Sequence, residues 1–126
     1  MKIQNVINIE DDAMKNCDIT KALKKYGVKE VKWAATAELG IMEIELAIAA
    51  GQPYDILVLD MHFDFYGEID NQAGEKTLNL LREKGIEIPV IMCSSQNWNI
   101  QGTVACILYN DKRDWESDMK RALDKV

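Results

Sequence analysis

A chain of 126 residues with a formal net charge of −6 has the size of one ordinary domain with a core of its own. Its 48% hydrophobic and 29% charged residues exclude a disordered tail, and an acidic surface repels nucleic-acid phosphates, so direct nucleic-acid binding is not expected. No run approaches the roughly 18 apolar residues of a membrane span, and "MKIQNVINIEDD" turns acidic too early for a secretory leader, so the expectation is a single cytoplasmic domain over residues 1–126 without membrane contact.

The elements follow in chain order. "IQNVINI" (3–9) reads as a strand. Residues 11–27 read as a helix, with Ala13, Met14, Cys17, Ile19, Ala22, Leu23 and Tyr26 near helical spacing and Gly27 as its stop. "VKEVKWAA" (28–35) is an edge strand whose lysines discourage edge-to-edge pairing. Thr36 caps a helix over 37–51, in which Met42, Ile44 and Ile48 are assigned to the core. "DILVLDM" (55–61) has the unbroken apolar character of a central parallel strand. A helix over 74–85 and two strands at 88–95 and 104–109 come next. The last helix, 113–126, places Trp115, Met119, Ala122 and Leu123 on one face.

Alternating strands and helices through five strands imply a parallel sheet covered by helices on both faces. Only "QNWNIQGT" lies between Ser95 and Val104, so the fourth helix is short or missing. Trp98, in that segment, either anchors a partner or is buried beneath it. Cys17, Cys93 and Cys106 show no metal spacing and are expected to be free and mostly buried thiols. The acids Asp64, Glu68 and Asp70 lack the residue order of a calcium loop.

Two apolar runs end in carboxylates. Glu10 and Asp11 close the first strand, and Asp60 closes the third. Open parallel sheets bind ligands beyond the carboxyl ends of their strands. If the two strands are neighbours, their ends lie about 5 Å apart, and three carboxylates share one small space. Such charges repel unless a cation joins them, and Mg2+ suits hard oxygen donors beside a phosphate. Ser94, closing the fourth strand, offers a hydroxyl to a phosphoryl oxygen. A cation is wanted after the fifth strand, where Lys112 and Arg113 are the candidates.

Over nearly its whole length the chain resembles the receiver domain of two-component response regulators. "VINIEDD" is similar to the family's first strand with its acidic pair, and "YDILVLDM" to its third strand with the phosphoacceptor aspartate. "GEKTLNLLREKGIEIPVIMCSS" is similar to the third helix and fourth strand. The resemblance implies a doubly wound, flavodoxin-like α/β fold with strand order 2-1-3-4-5. It implies Asp60 as phosphoacceptor, Ser94 and Lys112 as phosphate-binding residues, and a Mg2+ site of Glu10, Asp11, Asp60 and the His62 backbone carbonyl. Lys112 in that role puts Tyr109 on the family's aromatic switch position. Two departures stand out. "HFDFYGEIDNQAG" is longer than the family's loop and lacks its proline, and no proline follows Lys112.

The function implied is a phosphorylatable signalling receiver rather than a turnover enzyme. It takes its phosphoryl group from a histidine kinase, a phosphotransfer protein or a small phosphodonor, and signals through a protein partner, with a homodimer compatible. The last helix closes at Val126, so the chain is either a stand-alone receiver or a piece of something longer. A pseudo-receiver, used as an unphosphorylated interaction or dimerisation module, is the alternative. A Mg2+-dependent phosphatase fits less well, because its second aspartate would stand where this chain has His62.

Overall fold

The computed structural model describes residues 3–126. Strands and helices alternate as β1 (Asn5–Ile9), α1 (Ala13–Lys25), β2 (Glu30–Ala34), α2 (Ala37–Ala49) and β3 (Ile56–Leu59). After the short β4 (Phe63–Phe65) and β5 (Glu68–Asp70) come α3 (Ala73–Glu83), β6 (Val90–Ser94), β7 (Ala105–Leu108) and α4 (Trp115–Asp124). Five strands form one parallel sheet in the order β2-β1-β3-β6-β7. Numbered by that sheet's own strands, this is 2-1-3-4-5, the doubly wound order expected.

Side chains alternate across a strand, so each strand feeds two cores. Ile7, Ile9, Leu57, Leu59, Val90 and Met92 enter the layer shared with Ile41 and Ile44 of α2 and with Leu78 and Leu81 of α3. Val6, Ile56, Val58, Ile91 and Cys93 enter the opposite layer, with Ile19 and Leu23 of α1 and Met119 and Leu123 of α4. All four residues of β3 are buried, which is why its sequence is apolar without alternation. Each such side chain contributes roughly 1.5–3 kcal/mol when removed from water. Register then sets the sheet's upper edge. Ile9 pairs with Ala34 and Leu59, and Leu59 pairs with Met92, so β1, β3 and β6 end nearly level.

The Thr36 cap expected at α2 is present, and Asp12, read as part of the first helix, caps α1 instead. Thr36 accepts from Leu39 N at α2, and Asp12 Oδ1 accepts from Met14 N and Lys15 N at α1 (2.9 and 3.2 Å). Asp12→Ala is expected to cost about 1 kcal/mol, read as a lower urea midpoint at unchanged slope.

The fourth helix is missing, one of the two outcomes expected: among the described residues no helix lies between β6 and β7. That segment is instead held by Arg82, whose guanidinium donates to the Gln101 carbonyl (2.9 Å), and by Trp98 and Ile100, which pack on the α2–α3 core. The core assignments in α2 and α1 are what the structure corrects. Met42 and Ile48 are exposed and only Ile44 is buried: α2 packs on one face of the sheet, so an apolar composition all round leaves half of it in water. Met14 is 79% exposed and Cys17 is exposed too, because the buried stripe of α1 is Lys15, Ile19, Ala22 and Leu23.

The long segment after β3 is not a featureless loop. It folds as an antiparallel hairpin of β4 and β5. Tyr66 (φ 53°) and Gly67 (φ 99°) both take left-handed backbone at its tip, the turn whose twist suits a two-residue hairpin connection. The acids of this segment serve its own backbone. Asp64 Oδ1 accepts from Gly67 N (2.8 Å) and Asp70 Oδ1 from Gln72 N (2.7 Å).

Candidate functional site

The alternation that builds the two cores continues one residue past β1 and β3. Asn8 faces α1, where its Nδ2 donates to Asn16 Oδ1 (3.0 Å), and Val58 lies in the α1–α4 core. Two residues on, Glu10 and Asp60 turn to the same side. Backbone bonds fix them there: Glu10 N donates to the Ala34 carbonyl (2.9 Å) and Asp60 N to the Ile9 carbonyl (3.1 Å). Glu10, Asp11 and Asp60 each bring a carboxylate oxygen within 4.8 Å of the other two. Glu10 and Asp60 are buried, and Asp11 is exposed. The three acids of the sequence therefore converge, as the argument from strand ends requires. They are hard oxygen donors, one of them open to solvent, and so fit an octahedral cation such as Mg2+.

A fourth charge, which sequence reasoning missed, lies among them. Lys15 stands in the first turns of α1, four residues before Ile19 and on the same stripe as Ala22 and Leu23. That stripe faces the sheet, so the lysine is carried under the sheet's edge rather than into water. Its Nζ lies 2.8 Å from Glu10 Oε1 and 3.1 Å from Asp60 Oδ1, and the side chain is only 8% exposed. The same Nζ donates to the Cys93 carbonyl at the end of β6 (2.8 Å). The ammonium thus makes two close ion pairs and one hydrogen bond. Two charged partners and a carbonyl offset the desolvation of the buried ammonium.

The local electrostatics follow from this packing. Burial pushes the Glu10 carboxyl up to about 7; Lys15 opposes the rise and the charge of Asp60 adds to it. Burial alone would lower the Lys15 ammonium, but Asp60 and Glu10 outweigh it and hold the group above its ordinary value. Burial pushes the Cys93 thiol up to about 12, so it is an inert neighbour rather than a nucleophile. The Tyr109 ring lies 5.3 Å from Lys15 Nζ, and its hydroxyl donates to Asp18 Oδ2 (2.6 Å). Burial, with the hydrogen bond to Asp18, raises the Tyr109 pKa.

These groups open into a cleft of about 970 Å3 that Ser94, His62 and Trp98 also line. Ser94 is buried at the end of β6, and its Oγ accepts from Gln96 N (3.2 Å). His62 Nδ1 lies 2.7 Å from Asn71 Oδ1, on the exposed rim. The remaining candidates lie elsewhere. Lys112 is exposed and does not line the cleft; its backbone N–H donates to Asn110 Oδ1 (2.8 Å). Arg113 is likewise outside the cleft, paired through Nε with Asp118 Oδ2 (2.6 Å). The cation expected after the last strand is thus not in the cleft, and Lys15 is. The signal for it was in the sequence: a lysine in register with the buried stripe of α1, five residues after Glu10.

No protein-family model matches the chain, and no curated protein does. Solved structures do. The chain is similar to CheY in the CheX–CheY–BeF3–Mg2+ complex of Borrelia burgdorferi, at 19% identity and TM-score 0.72, covering 96% of this chain and 87% of that one. The fold is that of a receiver domain. The CheY-like response regulator receiver domain protein of Methanospirillum hungatei JF-1 gives 17% identity and TM-score 0.65, over 98% and 97% of the two chains. The receiver domain of the histidine kinase CKI1 from Arabidopsis thaliana, complexed with Mg2+ and BeF3−, gives 18% identity and TM-score 0.58, over 97% and 74%. At these identities the likeness fixes the receiver fold. It also puts the three converging acids at the carboxyl edge of a receiver sheet.

Proposed function

We propose that this receiver domain is a phosphoacceptor signalling module, phosphorylated on Asp60. The observation that carries the proposal is the convergence of Glu10, Asp11 and Asp60 at the carboxyl ends of adjacent parallel strands. In the step proposed, an Asp60 carboxylate oxygen forms a bond to phosphorus. The bond from phosphorus to the donor, P–N in a phosphohistidine or P–O in acetyl phosphate, breaks with its electron pair leaving on the donor. A carboxylate nucleophile forming an acyl phosphate is established chemistry. Mg2+ bound by Asp11, Asp60 and the His62 carbonyl, with Glu10 behind them, would offset charge on the phosphoryl oxygens. Ser94 supplies a hydroxyl to one of those oxygens. The donor is a histidine kinase, a phosphotransfer protein or a small phosphodonor, and the output is contact with a protein partner or a second copy. The setting proposed is cytoplasmic; among the described residues no helix is long and apolar enough to cross a membrane.

The test is direct. Incubation with Mg2+ and acetyl phosphate is expected to add one phosphoryl group by intact mass, and Asp60→Asn is expected to abolish the adduct. One observation favours a second reading, the unphosphorylated pseudo-receiver: Asp60 already has a buried ammonium partner. A protein that binds Mg2+ yet never acquires the phosphoryl group would establish that reading instead.

A further inference from the structure

We propose that Lys15, delivered from helix α1, is the cation that binds the phosphoryl group on Asp60, in place of a residue following the last strand. This rests on the phosphoacceptor reading above and names a further residue of that site. Geometry carries it. Among the described residues Lys15 is the one whose ammonium pairs with Asp60. Glu10 and the Cys93 carbonyl hold that ammonium from two other directions, so its position does not depend on Asp60. When Asp60 takes a phosphoryl group, the bridging oxygen of the acyl phosphate no longer carries a full charge, and the new negative charge sits on the phosphoryl oxygens. An ammonium already within hydrogen-bond distance of the carboxylate needs only a small shift to follow it. Lys112 and Arg113 do not have this position: one is exposed outside the cleft and the other is committed to Asp118.

Placement also makes the contact specific. The Cys93 carbonyl that anchors Nζ belongs to the residue just before Ser94. The cation and the hydroxyl are thus both fixed to the end of β6, beside the end of β3. Asp11, which is exposed, stays free of Lys15 among the ion pairs of the described residues. Metal and ammonium therefore share Asp60, while Asp11 is a carboxylate of the cluster that the ammonium does not touch.

Three proteins test the proposal: wild type, Lys15→Met and Lys15→Gln. The methionine keeps the apolar stem, and the glutamine keeps a donor without the charge. Each is checked for folding by circular dichroism, then exposed to acetyl phosphate with Mg2+ and followed by intact mass. Mg2+ affinity without phosphodonor is measured by isothermal titration. The expected result is an adduct on wild type that forms about 100-fold more slowly on either variant, while Mg2+ affinity is retained or increased as the competing positive charge is removed. Lys112→Ala is expected to form the adduct at the wild-type rate. Equal rates on wild type and both Lys15 variants would overturn the role of Lys15 and leave the phosphoacceptor reading standing. An adduct on none of them would overturn both. Should neither variant fold, the wild-type protein with beryllofluoride and Mg2+ decides by the Lys15 side-chain amine resonance. A large shift on beryllofluoride addition supports the contact, and no shift overturns it.

Discussion

Gly74→Ala is expected to destabilise the protein by about 2–3 kcal/mol and to slow phosphoryl transfer, although the residue carries no functional group. Gly74 stands at the start of α3, where its N–H donates to the Met61 carbonyl (3.0 Å). The helix is thereby pressed against the chain just after β3. A Cβ at this position would lie 2.2 Å from the carbonyl oxygen of Asp60 and 3.0 Å from the Cα of Met61. Both are backbone atoms, so no side-chain rotation relieves the overlap. Either α3 moves outward, loosening Leu78 and Leu81 in their core, or the end of β3 shifts and takes Asp60 with it. Overpacking of this kind costs about 1–3 kcal/mol, occasionally more. The upper end is expected because two backbone segments must part. Urea unfolding measures the loss, and intact-mass kinetics with acetyl phosphate measures the displacement of Asp60. A variant as stable as wild type would mean that α3 does not press on β3 this closely.

The need for a glycine at the head of α3 was not legible in the residues, since nothing in a helical pattern demands one there. What could be read from the residues was whatever rests on period-2 alternation and on parallel strand ends. "DILVLDM" gave a central strand because all four residues of β3 are covered on both faces. Glu10, Asp11 and Asp60 could be brought together because a shared sheet edge follows from two neighbouring parallel strands. Lys15 was missed for a physical reason: the face of α1 was read from its apolar residues, and Met14 and Cys17 pulled the stripe away from the lysine. In the folded chain Met14 is exposed and Lys15 is buried, because two carboxylates at the sheet edge make a charged side chain the better neighbour at that end of the helix. The hairpin was missed because its strands are three residues each, too short for alternation to register. Its turn rests on Tyr66 in left-handed backbone, which no residue preference announces. The phosphate-binding place expected for Lys112 met a similar limit, since that residue lies outside the cleft. A cation can be aligned by family position, but whether it reaches the cleft depends on a loop whose path the sequence does not encode locally.

The hairpin is also where a second large effect is expected. Phe63→Ala should cost about 3–5 kcal/mol, the usual range for removing a buried aromatic ring. Phe63 opens β4 and is among the largest fully buried side chains. It shares one core with Ile44 of α2, Leu59 of β3 and Leu81 of α3. The hairpin therefore inserts one ring into the main core and leaves its tip in water, with Tyr66 exposed. Two outcomes are distinguishable. If the ring belonged only to a local flap, Phe63→Ala would speed chymotryptic cleavage near Tyr66 while the global urea midpoint stayed put. If it belongs to the core, both change together, because the cavity opens between α2, α3 and β3. The second outcome is expected, since the isolated bridge from Asp64 to Thr36 ties β4 to the residue that caps α2. Ile69, Asp70 and Asn71, on the returning side of the hairpin, line the cleft. Loss of the Phe63 anchor should therefore also reach the rim of the acidic site, weakening Mg2+ binding by a smaller factor than it lowers stability. A global unfolding free energy unchanged to within about 0.5 kcal/mol would show that the ring contributes nothing to the core and that the hairpin is held by its backbone alone.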